Sequence, residues 1–292
     1  MIFQKEGVNV IEYTTISTDD ELIKLQKYWH DNDIHKIAVD FECEYNRHVY
    51  GCRLCLIQVF DGINYYIIDP FGLSEIELKK TLENKKLVKI FYGADSDISL
   101  VYKQYGIKMN GVLDLQIFVD ALEYEKKGLD AVIDKIMGVK IENKKKYQEH
   151  DWTKRPIDED AIQYALTDVR YLFDLKDNLL KMIIEQGKTE ALLERIIKHR
   201  IDYDKESKPK IFKSKEFKVL THEQKERAKK IYNIRESYSK EINCPPDNLL
   251  KNLYLINVSK NINDIENVVR PKKIIKEELW SKFRSEILQL KK

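Results

Sequence analysis

Residues 52–68 constrain the fold more than any other stretch of this 292-residue chain. Two apolar runs, Cys52–Phe60 and Asn64–Ile68, flank Asp61-Gly62-Ile63, a tight turn in which Gly62 can take positive φ without steric cost. That pattern predicts an antiparallel β-hairpin. Around it, strand-like and helix-like segments alternate. Val8–Tyr13, His35–Glu42 and Leu87–Phe91 read as strands. Asp19–His30, Ser74–Glu83 and Asp97–Tyr105 read as helices, the first with Leu22, Leu25 and Trp29 along one face. A hairpin set within such an alternation requires an α/β fold in which a mixed sheet is covered by helices.

From Leu115 onward the periodicity is helical. Leu115–Glu123 and Leu129–Met137 are short helices, the second stopped by Gly138. Asp158–Gln186 reads as one long helix entered through Pro156 and ended at Gly187, with the charged, irregular Lys144–Arg155 before it. The stretch Asp202–Lys215 is lysine-rich, contains Pro209 and has little to bury, so a basic linker over residues 205–217 is expected. Beyond it Thr221–Lys240, Asn248–Ile256, Ile262–Val268 and Lys276–Leu290 form helices, with Trp280, Phe283, Ile287 and Leu290 at core spacing. The expected organisation is an α/β domain over 1–204, the linker, and a small all-α domain over 218–292.

A hydrophobic fraction of 43% with only 10 Gly and 6 Pro excludes collagen-like and wholly disordered classes. No apolar run approaches the ~18 residues of a membrane span. The first residues lack a secretory pattern, and four cysteines are too few for a disulfide scaffold. A soluble, cytoplasmic protein without a membrane partner is expected, and a monomer is favoured. The net charge of +2 conceals an asymmetry: Lys188–Lys292 carries 26 Lys/Arg against 16 Asp/Glu, and the rest of the chain 25 against 33. An acidic front suits cations, and a basic rear suits a polyanion.

Three acidic positions stand out. Asp40-Phe41-Glu42 ends a strand, where the period of two sends both carboxylates to one face. Asp97 follows the buried strand Leu87–Phe91, where strand gives way to helix. Tyr164 and Asp168 lie four apart on one helix face. Carboxylates from separate elements converge only around positive charge, and hard divalent cations are the natural partner of oxygen ligands. Two such ions can activate a water, clamp a phosphate and stabilise its leaving oxygen. Taken singly these signals are weak, since a chain with 49 acidic residues holds Asp-x-Glu pairs by chance.

Other positions are open to plainer readings. Cys52 and Cys55, three apart on a strand, point to opposite faces, so core packing is favoured over a shared ion. Asp114 reads as a helix N-cap. Trp152 and Arg155 precede the Tyr164/Asp168 helix, where Arg can contact phosphate and Trp can stack on a base. Trp152 serves equally well as a core plug. Lys144-Lys145-Lys146 is a phosphate contact or a solvated loop.

The motifs gain force from their order. Ile37-Ala38-Val39-Asp40-Phe41-Glu42 is followed by Cys52-Arg53-Leu54-Cys55-Leu56-Ile57-Gln58-Val59 and Tyr92-Gly93-Ala94-Asp95-Ser96-Asp97-Ile98. Trp152-Thr153-Lys154-Arg155-Pro156 and Tyr164-Ala165-Leu166-Thr167-Asp168 complete the set. This succession resembles the DEDD superfamily of 3′-5′ exonucleases. Tyr164, four before Asp168, places the resemblance in the tyrosine branch, with ribonuclease D, over about residues 8–200. Residues 218–290, most clearly Arg235–Leu250, resemble the HRDC helical domain shared by RecQ-type helicases and ribonuclease D. Relatives often carry two copies; here there is length for one.

The resemblance implies a ribonuclease H-like sheet and a metal-dependent 3′-5′ exoribonuclease that releases nucleoside 5′-monophosphates. RNA, including tRNA precursors, would be the substrate and two Mg²⁺ or Mn²⁺ ions the cofactors. By position, Asp40, Glu42 and Asp168 would hold one ion, Asp40 would bridge to the second, and Asp97 would support that one. Tyr164 would orient the attacking water. Tyr92 stands where many relatives carry His. A nuclease acting on DNA or short oligonucleotides, and a catalytically idle RNA-binding module, are the alternatives.

Overall fold

The computed structural model describes residues 10–141, 147, 149–200, 203 and 208–291. Chain contacts divide it into two units, residues 1–43 with 53–203, and 44–52 with 204–292.

The first unit contains β1 (Tyr13–Ile16), α1 (Asp19–Asp31), β2 (Lys36–Tyr45), β3 (Cys52–Phe60) and β4 (Tyr65–Ile68). It continues with α2 (Glu75–Leu82), β5 (Val88–Phe91), α3 (Asp95–Tyr105), β6 (Val112–Asp114), α4 (Gln116–Ala121) and α5 (Leu129–Met137). Helices α6 (Glu159–Arg170), α7 (Leu172–Glu185) and α8 (Thr189–Lys198) follow. The strands lie in the order β1-β4-β3-β2-β5-β6. β3 and β4 are antiparallel, with Phe60 opposite Tyr65, whereas β1/β4, β2/β5 and β5/β6 are parallel. The hairpin is closed as its turn residues dictate: Gly62 has φ +93° and the Asp61 carboxylate accepts from the Ile63 and Asn64 N–H groups at 2.9 and 2.7 Å.

Alternation along the strands feeds two apolar layers. Ile37, Val39, Phe41, Ile57 and Val59 pack with Leu22, Leu25 and Trp29 of α1, Leu78 and Leu82 of α2, and Ile98 and Val101 of α3. On the other face Ala38 and Ile90 meet α4, α5, α7 and α8, while Leu56 and Ile67 meet Ala161, Ala165 and Leu166 of α6. The mixed sheet flanked by helices is thus present.

Several boundaries differ from expectation. The first described strand is Tyr13–Ile16, and residues 10–12, expected to lead into it, are not strand; Val8 and Asn9 lie outside the described residues. The Ile11 backbone is instead held by one side chain, its N–H donating to Gln163 Oε1 at 2.8 Å and its carbonyl accepting from Nε2 at 2.9 Å. Strand β2 runs on to Tyr45, so Asp40 and Glu42 sit mid-strand. The single long helix is two, parted at Tyr171. Its buried positions 161, 165, 169, 172, 175, 179 and 183 keep one helical period through the break, so periodicity could not reveal it. β6 is too short to show any alternation.

In the second unit, α9 (Lys210–Lys213), α10 (Lys215–Lys218), α11 (His222–Glu241), α12 (Pro246–Leu249), α13 (Asn252–Lys260) and α14 (Glu277–Leu288) enclose Trp280, Phe283 and Ile287. Arg235 is buried there and donates to the Leu250 carbonyl at 3.0 Å and Asn252 Oδ1 at 2.9 Å. The segment read as a linker is not all linker. Ile211 and Phe217 are buried in this core, because two short helices bring their few apolar side chains inward. Among the described residues no helix is long and apolar enough to cross a membrane.

Candidate active site

Phe41 anchors the site by pointing away from it, packing edge-to-face on Phe91 at 5.2 Å between ring centroids. Its neighbours Asp40 and Glu42 therefore lie on the face that carries Ala38. Helix α6 approaches that face. Its fully buried Ala161 and Ala165 are small enough to let the helix lie close to the sheet, and Tyr164 and Asp168 stand one turn apart beside them. Carboxylate oxygens of Asp40, Glu42 and Asp168 lie within 4.8 Å of one another. Asp97, in the first turn of α3, is outside that triplet but close enough to act on Glu42 and on the Cys43 thiol. All four acids and Tyr164 are half-buried.

Burial, followed by the charges of Asp40, Asp168 and Asp97, pushes the Glu42 carboxyl well above its ordinary range. Each charged neighbour that sets this shift is itself an acid. Hard oxygen donors gathered against their own repulsion fit a divalent cation, which would return Glu42 to its ionised form. The Tyr164 phenol is pushed up by burial and then by Asp168, Glu42 and Asp40, so it keeps its proton at neutral pH. Its ring stacks on Tyr147, itself buried, at 5.0 Å and 26°.

The two expected substrate contacts are committed elsewhere. Arg155 donates to Asp69 through Nε at 2.5 Å and Nη2 at 2.9 Å, and to the carbonyls of Cys55, Trp152 and Lys154 at 2.6–2.8 Å. It also lies over the Phe71 ring at 4.5 Å. A guanidinium has five N–H groups, and these bonds engage the whole fork, so Arg155 ties the loop before α6 to the end of β4 and does not await a phosphate. Trp152 is 3% exposed within the α6 layer, as the core-plug reading had it, and cannot offer a face to a base. Cys55 is fully buried, but Cys52 is exposed and not a core residue. The run Lys144–Lys146 lies outside the described residues.

Sequence reasoning missed Tyr147, which sits in a stretch read only as charged and irregular. It also understated Asp114, whose carboxylate accepts from the Gln116 N–H at 2.8 Å, as in a cap, but also from Gly93 and Ala94. Tyr92 donates to the Lys127 carbonyl at 2.6 Å.

A family model described as 3′-5′ exonuclease matches residues 13–184. The chain belongs to the DEDD 3′-5′ exonuclease family, among its ribonuclease D- and RRP6-like members. It is 30% identical to the ribonuclease D of Bartonella henselae over 79% of this chain and 57% of that protein. It is 31% identical to the exosome complex component 10 homolog of Caenorhabditis elegans over 59% of this chain and 19% of that protein. The chain thus spans little more than half the length of the first relative and about a fifth of the second. The crystal structure of Escherichia coli RNase D, an exoribonuclease involved in structured RNA processing, superposes with a TM-score of 0.70 at 20% identity. It covers 96% of this chain and 76% of that one, a likeness of fold.

Proposed function

We propose that this chain is a metal-dependent 3′-5′ exoribonuclease that hydrolyses the terminal phosphodiester of RNA and releases nucleoside 5′-monophosphates. The convergence of Asp40, Glu42 and Asp168 within 4.8 Å carries the proposal. Asp40, Glu42 and Asp168 would hold one Mg²⁺ or Mn²⁺, and Asp40 and Asp97 would serve a second. The ions would supply charge neutralisation at the scissile phosphate and a more acidic water. Tyr164 acts through its protonated phenol, which positions the water by hydrogen bonding and does not deprotonate it. Backbone rigidity serves this chemistry: Asp40 and Glu42 ride on an interior strand, and Asp168 on a helix packed through two alanines.

RNA is favoured because the Bartonella henselae relative is named ribonuclease D and the Escherichia coli protein acts in structured RNA processing. Trimming of structured RNA 3′ ends, tRNA precursors included, is part of the same proposal. The basic helical unit, in the proposal an HRDC-like module, would hold the polyanion. The four cysteines are free thiols, in keeping with a cytoplasmic enzyme.

The test is release of labelled nucleotide from the 3′ end in Mn²⁺. Asp40→Asn is expected to abolish release while leaving the thermal unfolding profile of the metal-free protein intact. Turnover that survives the substitution overturns the assignment. Running RNA and DNA of several lengths side by side decides the substrate, and equal rates on DNA would remove the RNA preference.

A further inference from the structure

Asp97 sits in the first turn of α3, and its position depends on how that turn leaves β5. The N-terminus of α3 has no side-chain cap of its own at Ala94. Two backbone N–H groups there, those of Gly93 and Ala94, donate instead to Asp114, to Oδ1 at 2.8 Å and Oδ2 at 2.9 Å. Asp114 lies at the end of β6 opposite Phe91, the last residue of β5, and is 7% exposed. The same Oδ1 accepts from Gln116 N–H at 2.8 Å, and Leu115 N–H donates to the Phe91 carbonyl at 2.8 Å. One carboxylate therefore joins the outgoing turns of two neighbouring strands. Gly93 completes the joint: its φ is +75°, and a Cβ there would meet Gln116 Oε1 at 2.9 Å.

A buried carboxylate that accepts three backbone N–H bonds is a strong, directional clamp. It does not belong to the Asp40/Glu42/Asp168 triplet. We infer that Asp114 is a positioning residue that fixes the β5–α3 turn and thereby aims Asp97 at the second cation. This rests on the proposed two-ion site, and the experiment separates the two ideas. Asp114→Asn keeps the size of the side chain but turns one acceptor into a donor facing an N–H group.

The experiment titrates the full chain with Mn²⁺ by calorimetry and follows nucleotide release against Mn²⁺ concentration. In Asp114→Asn the tighter ion is expected to bind as in the unsubstituted protein. The weaker ion, the Mn²⁺ concentration for half-maximal rate and kcat each suffer about 10-fold, as for other outer-shell partners, with KM for RNA unchanged. In an Asp97→Asn background the substitution adds nothing further, because the residue it positions is gone. Gly93→Ala strains the same turn from its other side and is expected to shift the weaker ion in the same direction, which covers failure of Asp114→Asn to fold. A folded Asp114→Asn or Gly93→Ala protein that loses only thermal stability, with its Mn²⁺ titration unchanged, overturns the role of Asp114 alone. So does full additivity with Asp97→Asn. An unsubstituted protein that binds no Mn²⁺ overturns the two-ion site and this inference together.

Discussion

Arg155 separates a structural from a substrate-binding role most cleanly, because the two make opposite demands on Arg155→Ala. The side chain is 28% exposed and its partner Asp69 19%, so the pair is only partly screened by solvent. Losing the two-pronged contact to Asp69 costs about 1–2 kcal/mol at this exposure, between the values for surface and buried pairs. The carbonyl of fully buried Cys55 loses its guanidinium donor, worth about 1–2 kcal/mol, and the contact with Phe71 adds about 0.5–1 kcal/mol. Together these give about 3–5 kcal/mol, or a fall in Tm of ~10 °C for a domain of this size. Arg155→Lys keeps the charge but cannot form the fork, so roughly half of that loss is expected. Thermal unfolding by circular dichroism measures the shift, and initial rates over a range of RNA concentrations measure KM. A KM that rises several-fold with Tm unchanged would refute the structural assignment and restore Arg155 as a phosphate contact.

Two further outcomes follow from the site. Glu42 has a folded pKa raised above its unfolded value, so the folded state holds that proton more tightly. The stability this contributes to metal-free protein is complete below the unfolded carboxyl range near ~4.3 and is lost as pH rises through the raised value. Tm in a chelator should therefore decline with pH over that window, Mn²⁺ should stabilise more at the high-pH end, and Glu42→Gln should flatten both trends; a chelated Tm that does not depend on Glu42 contradicts this. Tyr147→Phe should preserve the stack on Tyr164, whereas Tyr147→Leu should slow nucleotide release about 2- to 10-fold, the rate equivalent of an aromatic pair. Equal rates for the two variants would show that the stack does not hold the phenol.

Much of the site was legible before any coordinates. Asp40 and Glu42 must share a face wherever a strand runs, and Tyr164 and Asp168 must share one wherever a helix runs, because the side-chain periods of 2 and 3.6 are properties of the backbone. The Asp61-Gly62-Ile63 turn likewise carried the antiparallel pair within itself, since local φ and hydrogen-bonding demands decide a tight hairpin. Roles that depend on partners distant in the chain were not legible. Arg155 read as a phosphate contact because nothing nearby in sequence announces Asp69, 86 residues away, as the acceptor of its fork. Asp114 read as a cap for its own helix because a side chain's second and third hydrogen bonds are set by what folds against it.

The amino-acid order alone determined the α/β class, the hairpin and which acids could face one another, all consequences of short-range stereochemistry. Only the tertiary structure decided that Asp40, Glu42 and Asp168 meet while Asp97 stands beside them, that Trp152 and Arg155 face inward, and that Ile211 and Phe217 join a core. Those outcomes depend on how layers pack, and packing is settled by volumes and hydrogen-bond partners from every part of the chain at once.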